Sequence, residues 1–219
     1  MKHFWRDNSL SIVLFGCFLA FLVGLMITGF YYENEELAMH GRSSLSFGEY
    51  LMSGEFYEAV FENWESEFLQ MGALVVFTIW LKQKGSKDSK KIGHKEDVDT
   101  ESRYSIIKSH GLGQKAKAAG HILYANSLSI ALFLLFFFSF ILHAMSGTAA
   151  ANQEAMFHNE STYSVWQYMG SAQFWFESFQ NWQSEFLSVG VLIVLSIYLR
   201  QRKSPESKPV DAPDDKTGD

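Results

Sequence analysis

Two glutamates, Glu67 and Glu185, occupy the same place in a phrase that the chain contains twice. The first copy reads FENWESEFL over residues 61–69, and the second reads FQNWQSEFL over residues 179–187. Two carboxylates held together in an apolar environment repel each other and bind protons more tightly, so such a pair could exchange protons or hold a cation. The repeated phrase is therefore the first place to look for chemistry.

Other polar side chains accompany each glutamate at helical spacing. Residues three and four apart on an α-helix share one face. The residues predicted to form this polar intramembrane site are Asn63, Ser66, Glu67, Asn181, Ser184 and Glu185. Trp64 and Trp182 fall on another face, at the position of an interfacial aromatic anchor. Thr78 and Ser196 alone continue the polar line further along the two helices.

His143 joins this candidate site. It replaces Leu25 of the first copy and falls at nearly the depth expected of the two glutamates. A buried histidine held by one hydrogen bond is the alternative interpretation of the same residue.

The phrase also has a purely structural interpretation, in which it caps and locks the helices. Each glutamate would then accept hydrogen bonds from nearby Asn, Ser or Trp groups and from loop amides. Glu62 and Glu65 become Gln180 and Gln183 in the second copy, so the phrase keeps one carboxylate in both halves.

Two Glu-His pairs lie between the apolar segments. Glu36 with His40, and Glu154 with His158, are spaced four apart and could ligate a metal if they lie on helices. Two ligands per loop without a cysteine do not define a metal site. The sequence therefore predicts no metal and no cofactor.

Four apolar segments must position these residues. Residues 10–30 carry no charge, and residues 128–147 have His143 as their one ionisable group; a helix needs roughly twenty such residues to cross a bilayer. Two further segments, 68–81 and 186–199, are apolar for only about fourteen residues, or roughly 21 Å of helix. Their helices must therefore begin upstream, inside the repeated phrase. The predicted spans are about 10–30, 61–82, 124–147 and 179–200.

The chain is an internal duplication. Placing Asn8 on Asn126 aligns the two halves without a gap as far as Lys84 on Arg202. We predict an all-α polytopic membrane protein whose four transmembrane helices form two parallel tandem-repeat helical hairpins. The first repeat covers residues 1–84 and the second covers residues 121–203.

Short helices are predicted in the two loops between the spans of each repeat. Ser46 with Glu49, and Ser164 with Gln167, match the capping-box pattern. Ser53 and Ser171 then match N-caps of the helices that lead into the repeated phrase.

Lys and Arg residues concentrate on one side of the predicted spans. They are frequent before the first span, in the linker 85–120 and after the last span, whereas the two loops contain Arg42 alone. Basic flanks stay in the cytoplasm, so both termini should be cytoplasmic. A segment that begins in the charged linker, 103–125, could lie on the membrane as a surface helix. The tail 204–219 has the composition of a disordered segment.

Several function classes are disfavoured. The single cysteine, Cys17, excludes an intramolecular disulfide, and a net charge of −6 argues against a nucleic-acid partner. No Ser-His-Asp order, phosphate-binding glycine loop or dinucleotide fingerprint is present. We therefore expect a protein that is not an enzyme.

The chain resembles a known family. The stretches SLSFGEYL, FENWESEFLQ, FWFESFQNWQSEFL and LRQRKSPESKPV are similar to a family of uncharacterised four-span bacterial membrane proteins, catalogued as a domain of unknown function with repeated NWxSEF phrases. The resemblance covers nearly the whole chain and implies the bacterial inner membrane. It implies no activity and assigns no residue a role.

Two functions compete at this stage. The first is a structural or partner-binding membrane module, with the lipid bilayer around it and a protein partner at its aromatic, acidic outer loops. The alternative is a small proton or cation pathway built on Glu67 and Glu185. Because the polar line thins out toward the cytoplasmic half, the sequence favours the first; it does not give the oligomeric state.

Overall fold

The structure is a computed structural model that describes residues 2–100 and 112–218, and it is helical with no strand in this part of the chain. The all-α prediction is thereby confirmed for the described residues. The α-helices are α1 (Lys2–Met39), α2 (Phe47–Tyr50), α3 (Gly54–Trp80), α4 (Leu112–Ala125), α5 (Ser127–Phe157), α6 (Val165–Met169) and α7 (Ala172–Tyr198).

Among the described residues, two helices are long and apolar enough to cross a membrane. They are His3–Met39 within α1 and Ser127–Phe157, which is α5. Helix α1 has 38 residues and α5 has 31, so both are longer than the twenty or so residues that a bilayer requires. Each therefore continues past its apolar segment into polar sequence, where it carries acidic side chains, and a histidine directly follows the end of each helix.

Helices α3 and α7 have 27 residues each and contain the repeated phrase. Both begin before that phrase, at Gly54 and Ala172, seven residues earlier than the predicted starts of the spans at 61 and 179. Their first turns are capped by serine side chains as predicted: the Phe56 amide donates to Ser53 Oγ (3.3 Å), and the Phe174 amide donates to Ser171 Oγ (3.2 Å). The helices end at Trp80 and Tyr198, two residues short of the predicted ends at 82 and 200.

The predicted capping boxes are present at both short helices. The Ser46 hydroxyl accepts from the Glu49 amide while the Glu49 carboxylate accepts from the Ser46 amide, and Ser164 and Gln167 make the same reciprocal pair. These bonds satisfy amides that a helix start leaves without intrahelical partners. They fix α2 and α6 at corresponding places in the two halves.

The chain divides into two compact units. Unit 1 consists of Met1–Phe61 and Ile141–Phe174, and unit 2 consists of Glu62–Phe140 and Trp175–Asp219.

An aromatic core holds unit 1 together. Tyr50 packs on Phe56 with ring centroids 5.7 Å apart, and Tyr168 packs on Phe174 at 5.6 Å. All four rings are buried. Because aromatic pairs at this distance stabilise beyond the apolar area they bury, they lock each short helix onto the helix that follows it.

Two asparagines close the loops of unit 1 in the same way. Asn34 Oδ1 accepts from the Leu45 amide (2.7 Å), and its amide nitrogen donates to the Leu45 carbonyl (3.2 Å). Asn152 makes the same two bonds with Tyr163, at 2.6 and 2.9 Å. The loops after α1 and α5 are therefore held by identical contacts at positions that the sequence alignment pairs.

The linker and the tail are hydrogen bonded to each other in unit 2. Lys87 Nζ lies 3.2 Å from a carboxylate oxygen of Glu206, and the Gly85 amide donates to Thr217 Oγ1 (2.8 Å). The Lys208 ammonium is buried and donates to three backbone carbonyls of the tail. Composition predicts disorder here because apolar residues are few; the tail instead forms turns through these polar contacts.

The predicted surface helix is described only in part. Helix α4 covers Leu112–Ala125, and residues 103–111 of the predicted segment lie outside the described residues.

Candidate functional site

Unit 1 contains an acidic pocket with a volume of about 220 Å³. The ends of α1 and α5 and the beginnings of α3 and α7 form its wall. Its lining residues are Glu33, Glu36, Leu37, His40, Glu55, Glu58, Ala150, Ala151, Glu154, Phe157, His158 and Gln173. We call this cavity the acidic pocket.

Helical periodicity gathers the polar side chains of the acidic pocket. Glu33 and Glu36 lie three residues apart on one face of α1. Glu55 and Glu58 do the same in the first turns of α3. His40 directly follows the end of α1, and its amide still donates to the Glu36 carbonyl (3.1 Å). The two Glu-His pairs singled out in the sequence, at the ends of α1 and α5, thus line one pocket.

The lining of the pocket is strongly negative. Five of its residues are glutamates, and none is Lys or Arg. Burial, followed by the negative charges of Glu33 and Glu55, raises the pKa of the adjacent Tyr50 phenol. The neighbouring carboxylates therefore impose a negative potential on the aromatic core beside them.

One carboxylate oxygen in the pocket wall lacks a protein donor. Glu55 Oε2 is buried and has no hydrogen-bond partner among the described residues, whereas Glu33 Oε1 accepts from the Gln153 amide at 3.4 Å. A buried carboxylate oxygen without a donor is costly. It becomes favourable when a cationic group or a water enters the pocket.

Aromatic and imidazole rings stand at the edge of the pocket. The His40 ring stacks on Phe157 with centroids 6.2 Å apart and meets His158 edge to face at 6.1 Å. The Arg42 guanidinium lies 4.7 Å from the centre of the Phe157 ring. Phe157 therefore already contacts one cation, in the geometry of a cation–π contact.

A buried polar cluster adjoins the acidic pocket through Glu58. The Tyr168 hydroxyl donates to Glu58 Oε1 (2.9 Å), and a ring nitrogen of His143 lies within 4.8 Å of a Glu58 carboxylate oxygen. His143 is fully buried, and its ring stacks on Phe174 at 4.9 Å. This histidine belongs to unit 1, whereas Glu67 and Glu185 belong to unit 2.

The whole chain, residues 1–219, matches the family described as "Domain of unknown function (DUF6766)". The chain belongs to this family. No curated protein and no solved structure matches it. The resemblance seen in the sequence is thereby confirmed at the level of a domain of unknown function, and any function must be argued from the site itself.

The polar residues of the repeated phrase differ in how far they are buried. In the first copy Ser66 is buried, but Asn63 and Glu67 are exposed. In the second copy Asn181 and Glu185 are half-buried, and Ser184 is exposed. The polar face is therefore only partly turned inward, and its serines donate to carbonyls of their own helices, at 2.8 Å in each copy.

The buried carboxylate of α3 is Glu65 rather than Glu67. Glu65 is fully buried and accepts a hydrogen bond from the Trp182 indole N–H at 2.8 Å. Glu67 carries an electrostatic repulsion from Glu185 within unit 2.

Trp64 and Trp182, the tryptophans of the repeated phrase, are half-buried, as is common for tryptophans at the interface between a membrane and water. Trp182 also packs against Phe136 and Phe179, with ring centroids 6.2 and 5.6 Å away. Trp182 therefore packs within unit 2, and its role as a membrane anchor remains a prediction.

Sequence reasoning missed Glu33, Glu55 and Glu58. The available signal was their spacing, since Glu33 precedes Glu36 by three residues and Glu55 precedes Glu58 by three. Carboxylates at this spacing share a helix face, and the scarcity of Lys and Arg in both loops leaves them without basic neighbours along the chain. What the spacing could not show is that the four helix ends meet.

Proposed function

We propose that this chain is a non-enzymatic, partner-binding membrane module whose acidic pocket receives a basic side chain of a partner protein. The observation that carries the proposal is the lining of the pocket, with five glutamates and no basic residue. Opposite charge on a partner would steer association and fix its register.

The size of the acidic pocket fits such a group. A water molecule occupies roughly 30 Å³ of liquid, so a cavity of about 220 Å³ has room for a lysine or arginine head group with a few waters. The five carboxylates are spread over α1, α3 and α5, and a spread of this kind suits an extended cation better than a single metal ion.

The proposal places the pocket outside a bacterial inner membrane. Helices α1, α3, α5 and α7 would be the four spans, in two parallel repeats with both termini cytoplasmic. The length and apolar character of α1 and α5, the distribution of Lys and Arg and the matching contacts in the two halves support this arrangement.

Binding of a basic peptide tests the proposal. Purified protein would be titrated with a fluorescent tri-arginine amide at low and physiological salt. Glu36→Gln and Glu154→Gln should each weaken binding about fivefold, the effect of losing one ion pair worth ~1 kcal/mol. Glu35→Gln and Glu160→Gln are the matched controls, because these exposed glutamates lie outside the pocket lining.

Two outcomes would overturn the proposal. Equal weakening by pocket and control variants would show general attraction to a negative protein. Binding of Ca²⁺ or Mn²⁺ that depends on Glu36 and Glu154, without binding of the peptide, would indicate a metal site instead.

A second candidate function is the proton or cation pathway. The presence of both Glu67 and Glu185 in unit 2 supports it, since carboxylates that lie near each other can share a proton. Proteoliposomes containing the wild-type protein should then show proton or cation flux that Glu67→Gln and Glu185→Gln abolish. Wild-type liposomes without flux would eliminate this candidate and leave the binding proposal untouched.

A further inference from the structure

Unit 2 contains a second, larger cavity, with a volume of about 690 Å³. Leu74, Val75 and Thr78 of α3 line one wall, and Val189, Leu192 and Ile193 of α7 line the other. These residues are spaced as one helix face on each side. We call this space the inner cavity; its volume lies within the range of about 300–1,000 Å³ typical of ligand pockets.

One end of the inner cavity is polar and charged. Lys82, Asp88 and Glu206 stand there beside Ser86 and Ser89. Lys87 lies 3.2 Å from both Asp88 and Glu206, so these two carboxylates already have a cationic partner.

Lys82 can still receive an anion. Its ammonium donates to the Lys91 carbonyl at 3.2 Å and attracts the Asp99 carboxylate, but that carboxylate is ion-paired with Lys90 at 2.6 Å; an ammonium has three donors. The cavity thus combines apolar walls with a cation at one end. These features are complementary to an amphiphile that has an anionic head group.

We propose that the inner cavity holds one acyl chain of an anionic phospholipid whose phosphate binds Lys82. The inference rests on the four-span arrangement of the proposed function, in which this end of α3 and α7 faces the cytoplasm. From Leu74 to Trp80, the last residue of α3, the helix rises roughly 9 Å, which is more than half of the thickness of one leaflet in a hydrocarbon core of roughly 30 Å; Lys82 follows two residues later. Lysines directly cytoplasmic of a span are the residues that bind anionic lipid heads.

Lipid binding to the purified full-length chain tests the inference. Native mass spectrometry would count molecules of phosphatidylglycerol retained as the lipid is titrated. Leu192→Trp should fill the cavity and lower retention at least tenfold, since each excluded methylene is worth about a fourfold factor. Leu195→Trp is the matched control, because Leu195 is an exposed leucine of the same helix that does not line the cavity.

The head-group contact has its own pair of variants. Lys82→Gln should lower phosphatidylglycerol retention about fivefold, the contribution of one lysine near an anionic lipid. Lys84→Gln should leave it unchanged, because Lys84 is exposed and outside the lining. Thermal melts of all four variants would verify that each is folded.

Three results would overturn the inference. Equal retention by Leu192→Trp and Leu195→Trp would show that the cavity is not the lipid site. Equal competition by glycerol phosphate and by phosphatidylglycerol would show that a free phosphate is recognised. Dimerisation that Leu192→Trp abolishes, without lipid retention, would assign the cavity to a second copy of the chain. None of these results depends on peptide binding at the acidic pocket, so each proposal can fail independently.

Discussion

Two carboxylates, the half-buried Glu58 and the buried Glu65, are held by donors from aromatic side chains. Glu58 accepts from the Tyr168 hydroxyl at 2.9 Å, and Glu65 accepts from the Trp182 indole at 2.8 Å. A hydrogen bond to a charged acceptor is among the stronger contributions that a single contact makes to stability. At the residue scale, each of these two hydrogen bonds links two helices that also pack against each other.

Removing the indole donor should therefore destabilise the protein. Trp182→Phe leaves Glu65 buried without that donor, at a cost of about 1.5–3 kcal/mol in the free energy of unfolding. Trp80→Phe should have little effect, because Trp80 is 70% exposed. Denaturant unfolding followed by circular dichroism can compare the two variants. Equal losses would contradict a specific role for the Glu65–Trp182 bond.

Gly147 of α5 is required by a close approach. A Cβ atom there would lie 2.5 Å from the Tyr168 hydroxyl and 2.6 Å from Glu58 Oε1. Gly147→Ala should therefore destabilise by about 1–3 kcal/mol, the usual cost of overpacking. Gly24→Ala is the control, since nothing lies within 4 Å of the Cβ position there. Thermal melts in which both alanines are tolerated equally would argue against this packing of Tyr168.

At the element scale, the two capping boxes differ in one respect that can be measured. Glu49 closes the box of α2 with a carboxylate, and Gln167 closes that of α6 with a neutral amide. Hydrogen bonds from the Ser46 side chain and backbone amide lower the pKa of the exposed Glu49 carboxyl. The first cap is therefore sensitive to pH and the second is not.

The sign of the effect follows from the lowered pKa. The stabilisation by Glu49 is fully present above its unfolded pKa and is lost as the pH falls through its lower folded pKa. In NMR titrations the Ser46 amide should shift with a midpoint below the ordinary glutamate value, and the Ser164 amide should not follow it. A Ser46 midpoint at the ordinary value would show that the cap does not form.

The elements were largely predictable from sequence, and the acidic pocket was not. The helices follow from apolar length and from serine caps, which are local properties of the chain. The spacing of the Glu-His pairs at the ends of α1 and α5 identified them as possible ligands. Glu55 lines the same pocket because α3 begins beside these helix ends, which the sequence does not show. The buried Glu65 is hydrogen bonded to Trp182, which is far away in the sequence, and no spacing rule predicts such a contact.

At the scale of the whole molecule, the proposed topology puts the linker and the loop after α5 on opposite sides of the membrane. Single cysteines replacing Lys90 and Asn159 in a Cys17→Ser background should react differently with a membrane-impermeant maleimide added to intact cells. We expect labelling at position 159 and none at position 90, because the Lys-rich linker stays in the cytoplasm. Labelling of both positions from outside would contradict the four-span arrangement.

The central claim is that the acidic pocket receives a basic group, and locating a bound cation tests it most directly. A tri-arginine peptide carrying a diazirine would be photo-cross-linked to the protein, and the modified residues would be mapped by mass spectrometry. We predict cross-links at lining residues such as Leu37, Phe157 and Gln173, which excess unlabelled peptide suppresses and Glu36→Gln diminishes. Cross-links confined to other acidic segments, such as the tail, would contradict the claim.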